Sequence, residues 1–179
     1  RFGAVDRRGT VYVSRAAQRT RFAGESMLET ALARAGVTVF RPENFSIAEQ
    51  MRCYATADRI LFAEGSALHG LQLLGRGLGD VRVVVRRAGS TMARASIEPR
   101  TRSLAYLDFG LTHLHLLTPT GAPAIHGGLV MVDEGRMLAG LERLGIHLRP
   151  HWETDRYHSA CEDDAREWLG RACLHTWIL

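Results

Sequence analysis

The 179-residue chain is 46% hydrophobic and 23% charged, a balance that excludes a disordered segment and fits a domain with a substantial core. Its 23 basic residues are all arginine and outnumber 19 acidic ones, for a formal charge of +4. Aromatics at 7% argue against a stacking platform for nucleic acid, so none is expected as a partner. No apolar run approaches the roughly 20 residues that span a bilayer, and no signal peptide is visible.

Arginine suits phosphate and carboxylate because its planar fork donates bidentately. A GC-rich genome also encodes arginine by default, so the bias alone decides nothing. Cys53, Cys161 and Cys173 are widely spaced and form no CxxC pair. They read as small core residues in a reducing compartment, which points to the cytoplasm. The chain opens on Arg1 and reaches strand-like sequence by Val11, as expected for a piece of a longer protein.

Val11-Tyr12-Val13 predicts a first strand ending in Ser14-Arg15. The loop that follows carries Arg15, Arg19 and Arg21, which reads either as a diphosphate clamp or as a solvated basic loop. Met27, Leu28, Ala31, Leu32 and Ala35 then recur at helical spacing up to Gly36, and Val37 to Phe40 predicts a second strand. Ser46 and Glu49 form a capping box for a helix with Ile47, Met51, Tyr54 and Ala55 on one face. Asp58 to Ala63 predicts a third strand, Ser66 to Leu74 a third helix, and Val81 to Val85 a fourth strand.

Beyond Arg87 the pattern weakens. Thr112 to Leu117 and Leu129 to Val132 read as strands, and Glu134 to Leu144 as a helix. Ser159-Ala160-Cys161-Glu162 reads as a second capping box, opening a final helix through Ala165, Trp168, Leu169 and Ala172. Short apolar strands alternating with amphipathic helices predict an α/β fold: a Rossmann-like, mostly parallel sheet with helices on both faces. Right-handed crossovers then bring the loops at Arg15–Arg21, Pro42–Phe45 and Glu64–Ser66 to one edge, where such sheets bind ligands.

Glu64-Gly65-Ser66 joins a strand directly to a helix. Backbone N–H groups there would seat phosphate, and Gly65 would admit a ligand close to the backbone. The turn lacks both the glycine-x-serine-x-glycine pattern of a nucleophile elbow and the lysine of a P-loop. Glu64 reads as a binder of sugar hydroxyls or a base, or simply as a helix-start acid. His69 follows one turn later. His113 and His115 alternate along a strand, and with His126, His147, His151 and His158 they hint at a metal site; the spacing is weak evidence, and no metal is expected.

Taken in order, Val11 to Arg15, Arg21 before Gly24-Glu25, Pro42-Glu43, Ser46 to Gln50, Ala57 and Gly65 to His69 resemble the C-terminal half of glycosyltransferase family 61, which includes capsular-polysaccharide-type transferases of bacteria. The resemblance covers residues 9–88, and Leu129 to Leu144 is similar to the family's closing strand and helix. It implies a GT-B architecture, in which residues 1–179 form the nucleotide-sugar-binding domain (core 9–88, remainder and closing helices 89–179) and an N-terminal domain lies outside the chain. The implied activity is metal-independent hexosyl or pentosyl transfer, without a cofactor, from a nucleotide-diphosphate sugar to a glycan or glycolipid acceptor in surface polysaccharide synthesis. It is compatible with peripheral membrane association.

By the same resemblance Arg15 and Arg21 bind diphosphate, Gly65 and Ser66 present backbone N–H groups to it, and Glu43 and Gln50 organise the loops around the nucleotide. Gly24 stands where the family has asparagine, Glu64 where it has histidine, and His69 where it has asparagine. Glu64 and His69 are accordingly the catalytic candidates, Glu64 holding ribose or sugar hydroxyls and His69 taking a phosphate-facing or proton-handling role. The alternative is a non-catalytic relative that keeps the fold as a binding or scaffold module.

Overall fold

The computed structural model describes residues 9–118 and 120–176; the side chains of His126 and Cys173 lie outside the described set. Its first half alternates β1 (Thr10–Val13), α1 (Glu25–Arg34), β2 (Thr38–Phe40), α2 (Ile47–Thr56), β3 (Arg59–Ala63), a 3-10 helix (Ser66–Leu73) and β4 (Leu78–Val84). A short helix α3 (Arg94–Ile97) leads to β5 (Thr101–Leu107). The remainder is a hairpin of β6 (Gly110–Leu117) and β7 (Pro123–Val132), then α4 (Glu134–Arg143) and α5 (Thr154–Thr176).

β1 to β5 form one sheet in the order β2-β1-β3-β4-β5, with every neighbouring pair parallel. This is a doubly wound, Rossmann-like α/β fold and is consistent with half of a GT-B enzyme. Strand residues alternate between faces. Tyr12, Leu61, Ala63 and Val84 pack with Leu28 and Leu32 of α1, the hairpin, α4 and α5. Val11, Val13, Ile60, Phe62, Val81 and Val83 pack with Tyr54 of α2, with Leu68 and Leu71, and with Ile97. Strands are added in one direction from β1 to β2 and in the other from β1 to β3, β4 and β5, so the crossover helices fall on opposite faces, and the crevice at the carboxyl ends of β1 and β3 is the switch point.

The capping box of α2 is present: Ser46 Oγ accepts from Glu49 N, and Ser46 N donates to Glu49 Oε2 at 2.8 Å. Two expectations need correction. Ser66–Leu73 is a 3-10 helix rather than an α-helix, and Gly70 lies in its middle. The Ser159–Glu162 box does not open a helix, because α5 already begins at Thr154. Its buried stripe of Tyr157, Cys161 and Trp168 starts before the box and runs through it. The two later strands are present as expected and pair antiparallel in a separate two-stranded sheet, while β5, unforeseen, completes the main one. Of the cysteines, Cys161 is buried in the core, Cys53 is half-buried, and both are free. No described helix is long and apolar enough to cross a membrane.

Candidate functional site

A cleft of about 530 Å³ opens at the switch point. Ser14, Arg15 and Gln18 approach it from the end of β1, and Pro42 and Glu43 from the end of β2. Ile47, Gln50 and Met51 of α2 and Ser66, His69 and Leu73 of the 3-10 helix form the remaining walls. The topology therefore brings together Arg15, Glu43, Gln50, Ser66 and His69 from four separated stretches of sequence. Arg21 and Glu64 do not line this cleft.

Arg15 is half-buried and tied down by Nε to Thr20 O at 3.1 Å and by Nη2 to Thr20 Oγ1 at 2.8 Å. It forms no ion pair among the described residues. Burial lowers its pKa, while Glu25, Glu43 and Glu64 oppose the shift. Its side chain lies across Gly65, where an added Cβ would stand 2.0 Å from Arg15 Nη1. Gly65 itself is fully extended, so the glycine is needed for this close approach and not for its backbone angles.

Beneath the Arg15 loop sits Glu25, a buried carboxylate that the sequence reading named beside Gly24 but gave no role. It accepts from Tyr12 Oη at 2.8 Å, Ser14 Oγ at 3.2 Å, Arg15 N at 2.7 Å and Phe22 N at 3.3 Å. Burial outweighs these donors and pushes its pKa up. Its signal in the sequence was only its place directly after Gly24 at the start of α1.

Gln50 Nε2 donates to Pro42 O at 2.9 Å and to Phe45 O at 3.0 Å, so it holds the turn that carries Glu43. Gln50 Oε1 remains an acceptor. Gln72 Nε2 donates to His69 Nδ1 at 2.9 Å. The neutral imidazole then carries its proton on Nε2 and acts as a donor. Ser66 and Ala67 open the 3-10 helix, whose first turn bonds Leu68 N to Gly65 O at 3.1 Å, so their own amides lack intrahelical acceptors.

Glu64 is 0% exposed and points to the β4 side. It accepts from Ser90 Oγ at 2.5 Å, Arg87 Nη2 at 2.6 Å, Arg86 N at 2.7 Å and Arg87 N at 3.3 Å. Burial alone would raise its pKa, but these donors outweigh it and hold the carboxyl below the ordinary range. Glu64 is thus an ionised, saturated carboxylate that organises the Arg86–Ser90 turn.

Arg21 is buried and engaged elsewhere. Its Nη2 pairs with Asp164 at 2.7 Å and Glu167 at 2.5 Å, while Asp164 Oδ2 accepts from Gly24 N at 2.8 Å. Two carboxylates of α5 therefore occupy both the guanidinium and the N-terminus of α1. Glu167 is 53% exposed and can rehydrate, so Arg21→Ala should cost about 2 kcal/mol rather than the full penalty of a broken buried pair. Thermal unfolding should register the loss, while anion affinity measured at the cleft should not change.

Gly24 explains how α5 docks. It adopts φ +69°, and a Cβ there would meet Tyr157 Cε2 at 2.6 Å and Cys161 Sγ at 2.8 Å. Asparagine tolerates the left-handed conformation but not the lost space. Gly24→Asn should destabilise the fold by about 2 kcal/mol through overpacking, read as a fall of roughly 6 °C in thermal midpoint.

The histidines are scattered. His113 and His115 rings stack edge to face at 5.7 Å, and burial with the nearby His115, Arg86 and Arg87 lowers the pKa of His113. His158 bonds Glu134 at 2.9 Å as part of the tie between α4 and α5. Among the described residues, no three His, Cys, Asp or Glu side chains come together as a metal site.

The family model described as Glycosyltransferase 61 matches residues 4–79, from the stretch before β1 to the start of β4. The matched segment carries the whole lining of the cleft. No curated protein matches the chain.

Proposed function

From the match of residues 4–79 to the glycosyltransferase 61 family model, we propose that this chain belongs to that family and is the donor-binding domain of a transferase that moves a sugar from a nucleotide-diphosphate sugar to a glycan hydroxyl. The observation that carries the reading is the cleft at the switch point between β1 and β3, with Arg15 on one wall and Glu43 on another. Arg15 and the free amides of Ser66 and Ala67 neutralise the departing diphosphate, which makes hexosyl or pentosyl transfer possible without a metal. Glu43 and Gln50 Oε1 accept from sugar or ribose hydroxyls. The apolar side chains of Ile47, Met51 and Leu73 cover a base or a ring face.

His69 meets the ligand as a donor through Nε2. Glu64 is assigned a positioning role through the Arg86–Ser90 turn, because its carboxylate accepts four hydrogen bonds there and does not line the cleft. The acceptor, a glycan or glycolipid of surface polysaccharide synthesis, is assigned to a second GT-B domain outside this chain. The cytoplasm, where activated sugars are made, is the proposed compartment.

Calorimetric titration with a panel of nucleotide-diphosphate sugars tests the reading: one should bind, and Arg15→Ala should weaken it. Binding of none would sink it. The engagement of Glu64 favours one rival, a module that binds donor without turnover; sugar transfer by the full-length protein would exclude that rival.

A further inference from the structure

We propose that Arg15 and Arg86 together form the diphosphate seat, one guanidinium on each side of the Glu64–Gly65 peptide. The proposal rests on the nucleotide reading of the cleft and adds a residue from beyond the family segment, which ends at residue 79.

Arg86 lies two residues past the end of β4. Its backbone N–H donates to Glu64 Oε2 at 2.7 Å, and its Nε donates to the Glu64 carbonyl at 2.7 Å. This two-point hold fixes the guanidinium over the β3 end and leaves both terminal amino groups without an acceptor among the described residues. Arg15 approaches from the β1 side, with Nη1 at the place a Gly65 Cβ would fill. Strand order β1-β3-β4 thus puts the two guanidinium groups astride one peptide.

Three neighbouring arginines of this half of the sheet are neutralised. Arg21 pairs with Asp164 and Glu167, Arg41 with Glu29, and Arg87 with Glu64. Arg15 and Arg86 have no carboxylate partner among the described residues, and both are half-buried. Burial and repulsion from Arg15 both act against the charge on Arg86, yet a guanidinium stays protonated. Holding two such cations together destabilises the free protein, and an anion with at least two negative charges removes that penalty. Two planar forks with spare N–H donors suit a diphosphate, whose oxygens accept from both. Glu64 is the positioning residue of this arrangement, since it orients Arg86 and satisfies Arg87 while its own charge stays buried.

The test titrates the chain with inorganic pyrophosphate and, in parallel, with uridine and guanosine diphosphates, using wild type, Arg86→Gln and Arg86→Lys. Pyrophosphate should bind wild type about 30-fold more tightly than Arg86→Gln, with partial recovery in Arg86→Lys, and Arg86→Gln should not lower the thermal midpoint of the free protein. Equal pyrophosphate affinity for wild type and Arg86→Gln, or none for wild type, would overturn the proposal. A nucleoside diphosphate that binds independently of Arg86 overturns it too, while leaving the nucleotide reading intact. Pyrophosphate binding that requires Arg86, with no gain from either nucleoside, supports the seat and tells against the nucleotide reading.

Discussion

Glu64→Ala should lower stability by about 3 kcal/mol, a fall of roughly 9 °C in thermal midpoint, making it the most damaging single change at the sheet edge. The carboxylate has 0% exposure and four donors, so its removal leaves two backbone amides, one hydroxyl and one guanidinium without acceptors. The figure sits at the low end for a broken buried pair because Arg87 is 35% exposed and regains water. Glu64→Gln preserves the shape but replaces one acceptor with a donor among donors, and should recover only part of the loss.

The pH dependence follows from the direction of the Glu64 shift. Its folded-state pKa lies below the ordinary 4.5, so the folded protein binds fewer protons at this group than the unfolded chain does. The stability it contributes is complete above the ordinary value and is lost as pH falls through the folded one. The midpoint difference between wild type and Glu64→Ala should therefore be constant near neutrality and narrow below about pH 4.5. A difference that widens on acidification would mean that Glu64 is not held as a carboxylate.

The legible part of this protein is what local sequence encodes. β1 and β3 are β-branched or apolar runs flanked by turns, and the Ser46–Glu49 box sits where its hydrogen bonds place it. β5 escaped notice because it is an edge strand with Arg102 and Ser103 among its side chains, tied to Asp80 of β4. The start of α5 was masked by a capping-box pattern inside a helix, where no amide is orphaned and the box has nothing to satisfy.

The candidate site divides along the same line. Arg15, Glu43, Gln50, Ser66 and His69 lie at strand ends or helix starts that the topology collects automatically. Arg21 and Glu64 have equally suggestive positions, but their environments are set by partners far along the chain. Asp164 lies 143 residues from Arg21, and Arg87 lies 23 residues from Glu64. No periodicity reports such pairings. Arg86 was invisible for the converse reason: its interest comes from the partner it lacks.

Arg15→Ala should weaken binding of the proposed nucleotide-sugar donor by about 100-fold while leaving the unfolding free energy within about 1 kcal/mol of wild type. A cation that forms two or more charge-assisted hydrogen bonds to phosphate contributes roughly 2–3 kcal/mol, and each 1.4 kcal/mol is about a factor of ten in affinity. In the free protein the same side chain is half-buried, has no carboxylate partner among the described residues, and is held by two bonds to Thr20. Burial acts against its charge, so little folding energy is lost when it is removed. Arg21→Ala should behave oppositely, with a lower midpoint and unchanged affinity, because its charge is already spent on Asp164 and Glu167. Calorimetry and thermal unfolding on the two variants separate the roles: two arginines of one loop, one left free for a ligand and the other closing the fold around α5. An Arg15→Ala variant with a clearly lower thermal midpoint but unchanged donor affinity would reverse that assignment.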